Sequence, residues 1–267
     1  MSASSSWRPG MTRARSVIDR SERLILGTIG IAAVLILWEI ATATGLLNRV
    51  IMSSPSGVFR ALQSEIARGE IWGHLWVSVL EFSLGFLLAG VVGITLGLIA
   101  GWWRRAYYLL DPWLTILYST PTIALVPLII LVFGIDIWSK VFVVFLTAVF
   151  PVAVNTMIGV QSTARALLDV ARVFGASPPK QWRSVVLPGS VPFILTGLRL
   201  AGVHGMVGVV VAELIAGNEG IGYVINLAGA QLKTGTVMLA ILFLGLWGIA
   251  VGDLMRRAEA RFERWRA

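Results

Sequence analysis

The sequence predicts an all-α membrane protein with six transmembrane helices, and three observations carry that prediction. The chain of 267 residues is 57% hydrophobic and only 13% charged, whereas soluble domains are roughly half apolar and a quarter charged. Several apolar stretches run past about 18 residues, enough to cross a hydrocarbon core roughly 30 Å thick at about 1.5 Å per residue. Basic residues gather in alternate connections, the asymmetry that orients membrane helices.

The spans fall at about residues 24–44, 75–101, 107–133, 138–163, 191–216 and 235–255. The first is too long for a signal peptide, and no small-residue cleavage site closes it. With the N-terminal segment 1–23 and the tail 257–267 in the cytoplasm, sixteen basic residues lie inside and five outside, and Arg199 lies within a span. The inner set runs from Arg8 through Arg104, Arg105 and the 165–183 loop to Arg266; the outer set is Arg49, Arg60, Arg68, Lys140 and Lys233. Trp102 and Trp103 suit the headgroup belt at the cytoplasmic end of span two. The net charge of +8 is thus an orientation signal, and no nucleic-acid partner is expected.

Enzyme chemistry is not expected. The chain has no cysteine, and His74 and His204 are far apart with no ligand-spaced neighbours, so no metal site is expected. None of the three lysines follows a glycine, which rules out a phosphate-binding loop of the Gly-Lys-Ser/Thr type. Neither a Gly-x-Ser-x-Gly elbow nor a His-Glu-x-x-His pair occurs. No catalytic residue or cofactor is therefore assigned to this chain, and any ATP driving its function must be bound by another chain.

Between spans one and two, Ser54 and Pro55 read as an N-cap and first helical position. Val58, Phe59, Leu62 and Ile66 follow at helical spacing, and Gly69 ends the run. This helix lies either on the outer membrane surface or packed on the other spans. Span two places Gly85, Ala89, Gly93, Gly97 and Gly101 on one face, which lets another helix approach closely. Span five repeats the device with Gly197, Ala201, Gly205, Gly208 and Ala212, and span six with Gly245, Gly248 and Gly252.

Span three is interrupted by Pro112, Pro121 and Pro127, with Ser119, Thr120 and Thr122 at its middle; span four carries Pro151 and Asn155. Proline frees a backbone carbonyl, and such groups are tolerated at membrane depth where protein or a water-filled cavity satisfies them. Thr120, Pro121, Thr122, Asn155 and Arg199 are accordingly the candidate translocation path, with simple structural kinks as the alternative. Glu39, Glu81, Arg199 and Glu213 are costly within the spans and are expected to pair structurally, with substrate contact as the alternative and with partners that sequence does not name.

The loop between spans four and five reads DVARVFGASPPKQWRSVVLP. Residues 164–174 favour helix with Leu167, Leu168, Ala171 and Phe174 along one side. Gly175 can end it in a left-handed conformation, and Ser177 with Pro178 can start another helix. Pro188 and Pro192 punctuate the return to the membrane. An exposed Val173 or Phe174 on such a helix wants a partner.

This loop resembles the EAA motif of ATP-binding cassette (ABC) importer permeases: Glu-Ala-Ala, three residues, Gly, nine residues, Ile-x-Leu-Pro. Asp169 stands for Glu, Val170 for the first Ala, Ala171 keeps the second, Gly175 keeps its place, and Val185 precedes Val186, Leu187 and Pro188. SPSGVF, STPTIALVPLIILVFGI, GLRLAG and VVVAELI resemble the branch importing sulfonates, taurine, nitrate and related small anions. The resemblance implies a type I ABC importer bundle with both termini cytoplasmic, in a bacterial inner membrane. It makes Asp169, Ala171, Val173, Phe174, Gly175, Leu187 and Pro188 an ATPase-coupling element. It implies a second permease copy as a homodimer, two ATPase subunits that bind ATP and magnesium, an external solute-binding protein, and surrounding lipid. The alternative is a secondary transporter driven by an ion gradient, which calls for acidic pairs at the midplane and two related halves.

Overall fold

The computed structural model describes residues 10–48, 51–163 and 165–263, and the regular structure among them is helical. In chain order it comprises α1 (Gly10–Ala43), α2 (Pro55–Arg68), α3 (Glu70–Trp102), α4 (Arg104–Ser119), a 3-10 turn (Thr122–Leu125), α5 (Val126–Phe133) and α6 (Ile137–Gln161). After α6 come α7 (Arg165–Val173), α8 (Pro178–Gln181), a π turn (Trp182–Val186), α9 (Leu187–Ala216), α10 (Ile221–Ala230) and α11 (Thr234–Glu263). Five helical stretches are long and apolar enough to cross a membrane. Helix α4 and the stretch Thr122–Phe133 together make a sixth, bent by 85°. Of the N-terminal segment and the tail, residues 1–9 and 264–267 lie outside the described residues, and α1 and α11 extend past the expected span limits into the rest.

Helices α3, α6 and α9 form the core, and their small residues explain why. A methyl group placed on Gly85 would lie 2.6 Å from the Val141 carbonyl oxygen, and one on Gly93 would lie 2.8 Å from that of Val149. One on Gly97 would lie 2.5 Å from that of Ala153 and one on Gly101 2.5 Å from Val160 Cβ. Side chain is absent on one helix and backbone is touched on the other, so dispersion contacts accumulate along the whole seam. The contacts advance in step along both chains, so α3 and α6 run parallel. The polypeptide must return between them, and α4 with α5 supplies that crossing. On the other face of α6, Gly197 meets Pro151 and Val152, Gly205 meets Val144, and Gly208 meets Thr147, so α9 runs antiparallel to α6.

The expected continuous third span is broken. Thr120 and Pro121 adopt extended backbone angles between α4 and the 3-10 turn, because Pro121 cannot donate to the helix and biases Thr120 away from helical geometry. Prolines 112 and 127 do not break the chain; Pro127 lies in the first turn of α5, where no amide donor is missed. The return at Pro188 also differs from expectation. The helix is continuous from Pro178 to Ala216, with the π turn absorbing the register change through a bond from the Leu187 amide to the Trp182 carbonyl. Pro192 lies inside α9.

The glycines of span six do not pack as expected: Gly245 and Gly252 have nothing within 4 Å of a would-be methyl, and Gly248 meets only Met206 at 3.5 Å. Helix α2 has the expected cap, with Ser54 Oγ accepting from the Gly57 amide and Gly69 left-handed at φ 76°. It packs on the bundle: a methyl on Gly235 of α11 would lie 3.2 Å from the Gly57 carbonyl oxygen. Glu39 joins α1 to α2 by accepting from the Ser56 amide at 2.9 Å and its hydroxyl at 2.8 Å. That carboxylate occupies the helix start, where donors are unsatisfied and the dipole favours negative charge.

Candidate functional site

Helix α7 projects from the end of the bundle where α6 stops and α9 begins. Its C-terminus closes with the Ala176 amide bonded to the Ala171 carbonyl and the Gly175 amide to the Arg172 carbonyl, both at 2.9 Å. This paired arrangement needs a left-handed residue, and Gly175 supplies it at φ 74°. Beyond it, buried Gln181 donates to the Ala176 carbonyl at 2.8 Å, and Trp182 packs edge-on against Trp102 of α3 with ring centroids 5.0 Å apart. The projection is thus a clamped element.

Its faces differ from the expected division. Leu168 and Ala171 are half-buried, while Leu167 and Val170 are exposed and Val173 and Phe174 are each 85% exposed. Asp169 pairs with Arg172 at 3.1 Å on the exposed surface, a contact worth about 0–1 kcal/mol. Leu187 and Pro188 lie in the first turn of α9, Leu187 half-buried and Pro188 exposed.

The structure gathers three of the five candidate path residues. Thr120, Pro121 and Thr122 occupy the break, and Thr120 Oγ1 donates back to the Ile116 carbonyl at 2.8 Å. Helix α5 holds the break against the core by packing Val126 and Ile129 on Val143 of α6 and Ala212 of α9. Asn155 sits elsewhere, donating to the Pro151 carbonyl at 2.8 Å beside Gly197 of α9. Arg199 is turned to α11, where it pairs with Glu259 at 3.0 Å.

The acidic residues find the partners that sequence left unnamed. Glu81 accepts from Lys140 Nζ at 2.9 Å, and Glu213 accepts from Ser78 Oγ and from the Gly222 amide, each at 2.6 Å. Lys140 reads in the sequence as an outer basic residue; only the parallel packing of α3 and α6 brings it to Glu81. Helix α10 was not anticipated, although its sequence IGYVINLAGA is apolar and opens on Gly220 at φ 102°.

Residues 93–264 match the family described as the binding-protein-dependent transport system inner membrane component. The chain belongs to that family. It is the membrane-spanning permease subunit of an ABC importer. The putative aliphatic sulfonates transport permease protein of Escherichia coli is 38% identical, with 89% of each chain covered. Its Bacillus subtilis counterpart is 34% identical over 88% of this chain and 85% of its own length. The bicarbonate transport system permease protein of Synechococcus elongatus is 30% identical over 96% of this chain and 93% of its own. In fold, the permease resembles a chain of a crystallised amino acid ABC transporter, with TM-score 0.63, 15% identity, and coverage of 75% of this chain and 97% of that one. These matches imply ATPase and binding-protein partners for the permease, and give the ion-gradient alternative no support.

Proposed function

We propose that two copies of this permease enclose a path for a small anion and that α7 couples it to ATPase subunits. The observation carrying this reading is the pair of apolar side chains, Val173 and Phe174, held 85% exposed at the tip of a clamped helix. Exposed apolar anchors on a rigid projection fit a protein partner. In this reading Asp169, Ala171 and Gly175 shape the docking helix, and Leu187 and Pro188 seat it on α9. The ATPases, two per complex, bind ATP and magnesium. They act from the cytoplasm, which also holds both chain termini, and the membrane is the bacterial inner membrane. An external solute-binding protein delivers the solute at the opposite face.

Thr120, Pro121 and Thr122 line the path. Their break lies beside an open face of the single chain, with Trp113, Ile116 and Ile123 exposed, which favours closure by the second copy. Asn155 and Arg199 act here as packing and tethering groups. The anionic class rests on the relatives, whose named solutes are aliphatic sulfonates and bicarbonate. The test is uptake by the purified permease–ATPase–binding-protein complex in vesicles against sulfonates, bicarbonate, nitrate, an amino acid and a sugar. ATP-dependent uptake of an anion is expected; uptake confined to a neutral or cationic solute overturns the anionic class. ATP hydrolysis by the purified permease alone would overturn the division of labour.

A further inference from the structure

At the end of the bundle opposite α7, a polar cluster is sealed among α3, α6, α9 and α10. Ser78, Glu81 and Glu213 are fully buried, and Lys140 is 3% exposed. Ser78 Oγ donates to Glu213 Oε1 at 2.6 Å and accepts from the Ile221 amide at 2.8 Å. The Gly222 amide donates to Glu213 Oε2 at 2.6 Å, and the Gly220 amide donates to His74 Nδ1 at 3.3 Å. The amide of the capping residue Gly220 and the first two amides of α10 are therefore held by side chains of α3 and α9, as a helix start requires.

Donors and acceptors do not balance in this cluster. Glu81 Oε1 takes the Lys140 ammonium at 2.9 Å, but Glu81 Oε2 is buried with no hydrogen-bond partner. Ser78, which binds Glu213, lies one helical turn before Glu81 on α3, so the two carboxyl groups share one buried cluster and a bond between them would satisfy the orphaned atom. Two ionised carboxylates are acceptors only, so such a bond needs a proton. Charge gives the same answer. Two carboxyl groups face one ammonium, and an uncompensated buried charge is strongly unfavourable. Around the pair stand Ser78 and His74 from α3, Lys140 from α6, the amides of α10 and, nearby in the turn before α10, the acidic Glu219.

We infer that Glu81 and Glu213 together bind one proton, which makes the cluster neutral and fastens α10 to the bundle. The proton belongs to the pair; placed on Glu81 Oε2 it satisfies the orphaned atom and is donated to Glu213. Its loss at rising pH leaves two carboxylates against one lysine, at the point where Gly222 and Ser78 anchor α10. The proton site thus makes docking of α10 sensitive to alkali.

The experiment is infrared spectroscopy of the intact permease–ATPase complex in lipid vesicles, with deuterium exchange, paired with thermal unfolding across pH. A protonated-carboxyl carbonyl band is expected at neutral pH. Glu81→Gln and Glu213→Gln should each abolish it, since either leaves one carboxylate to pair with Lys140. Glu81→Gln keeps a donor at the same position, so its unfolding midpoint should hold at alkaline pH where the wild type's falls. Absence of the wild-type band at neutral pH overturns the inference whether or not the variants fold. A band unchanged in both variants, or one that appears only when sodium is replaced by choline, overturns it too, the latter by showing a metal cation in the proton's place.

Discussion

Phe174→Ala separates docking from folding. The side chain is 85% exposed in the permease, so its removal forfeits almost no intramolecular packing, and the purified permease should keep its thermal unfolding midpoint. Full burial of a phenylalanine stabilises by about 1.5–3 kcal/mol. Scaled to the 85% still available for burial, covering it by the ATPase contributes about 1.3–2.6 kcal/mol. At about 1.4 kcal/mol per tenfold, the variant should bind the ATPase roughly ten- to eighty-fold more weakly. Asp169→Asn is the control: it disturbs only the exposed pair with Arg172, worth about 0–1 kcal/mol. The assay is titration of detergent-solubilised permease with labelled ATPase, followed by solute-stimulated hydrolysis in vesicles. If Phe174→Ala binds within twofold of wild type, α7 is not the docking element and the reasoning from its exposed tip fails.

Gly175→Val should reduce uptake severely while the bundle still folds, because a β-branched residue resists the φ of 74° that closes α7; coupled uptake at wild-type rates would refute it. Gly97→Val should destabilise the permease by about 1–3 kcal/mol or more, since a methyl there already lies 2.5 Å from the Ala153 carbonyl oxygen. Gly245→Ala, in open space inside α11, should instead stabilise by about 0.5–1 kcal/mol through helix propensity; denaturation in detergent compares the two. Thr120→Trp and Thr122→Trp should block uptake without preventing complex assembly, as read by transport and native mass spectrometry, and normal uptake in both removes the break from the path. In this cysteine-free chain, Ala260→Cys should react with an impermeant thiol reagent only from the cytoplasm and Gln63→Cys only from outside; labelling of both from one side would overturn the topology.

What the sequence made legible was what a single helix records about itself. The four-residue spacing from Gly85 to Gly101 announced a bare face, and the structure lays α6 on it. The caps at Ser54, Gly69 and Gly175 are likewise local, set by one residue's angles and its neighbours' amides. Partnerships were not legible. The same glycine signal in α11 brought no close backbone approach among the described residues, Gly248 meeting only the Met206 side chain of α9, because spacing records that a face is bare and not what will cover it. Lys140 and Glu81 are 59 positions apart, and their pairing depends on the parallel course of α3 and α6. That course in turn depends on the crossing that breaks at Thr120 and Pro121; the sequence singled out the hydroxyl-flanked middle proline, but it read all three prolines as interruptions of one continuous span, and only Pro121 stands where extended angles replace the helix. Within the loop that carries α7 the boundaries followed from Gly175 and Pro178, but the division between the exposed Leu167 and the half-buried Leu168 did not, since it depends on what lies beside the helix.

The close seam between α3 and α6 also bears on how the permease moves. Helices separated by long side chains can slide as those side chains change rotamer. Glycine faces laid on backbone leave little such play, because a methyl on Gly85 or Gly97 would already lie within 2.6 Å of a facing carbonyl oxygen. With α9 seated on α6 through Gly197 against the Pro151 carbonyl, such close packing favours movement of the three helices as one stiff girder. Compliance is left to its joints: the 85° elbow in the third span, the π turn at Trp182–Val186, and the residues between Ala216 and Ile221. On the proposed coupling through α7, a displacement there would reach the far end of the bundle as a tilt of the three helices together, with leverage set by their length.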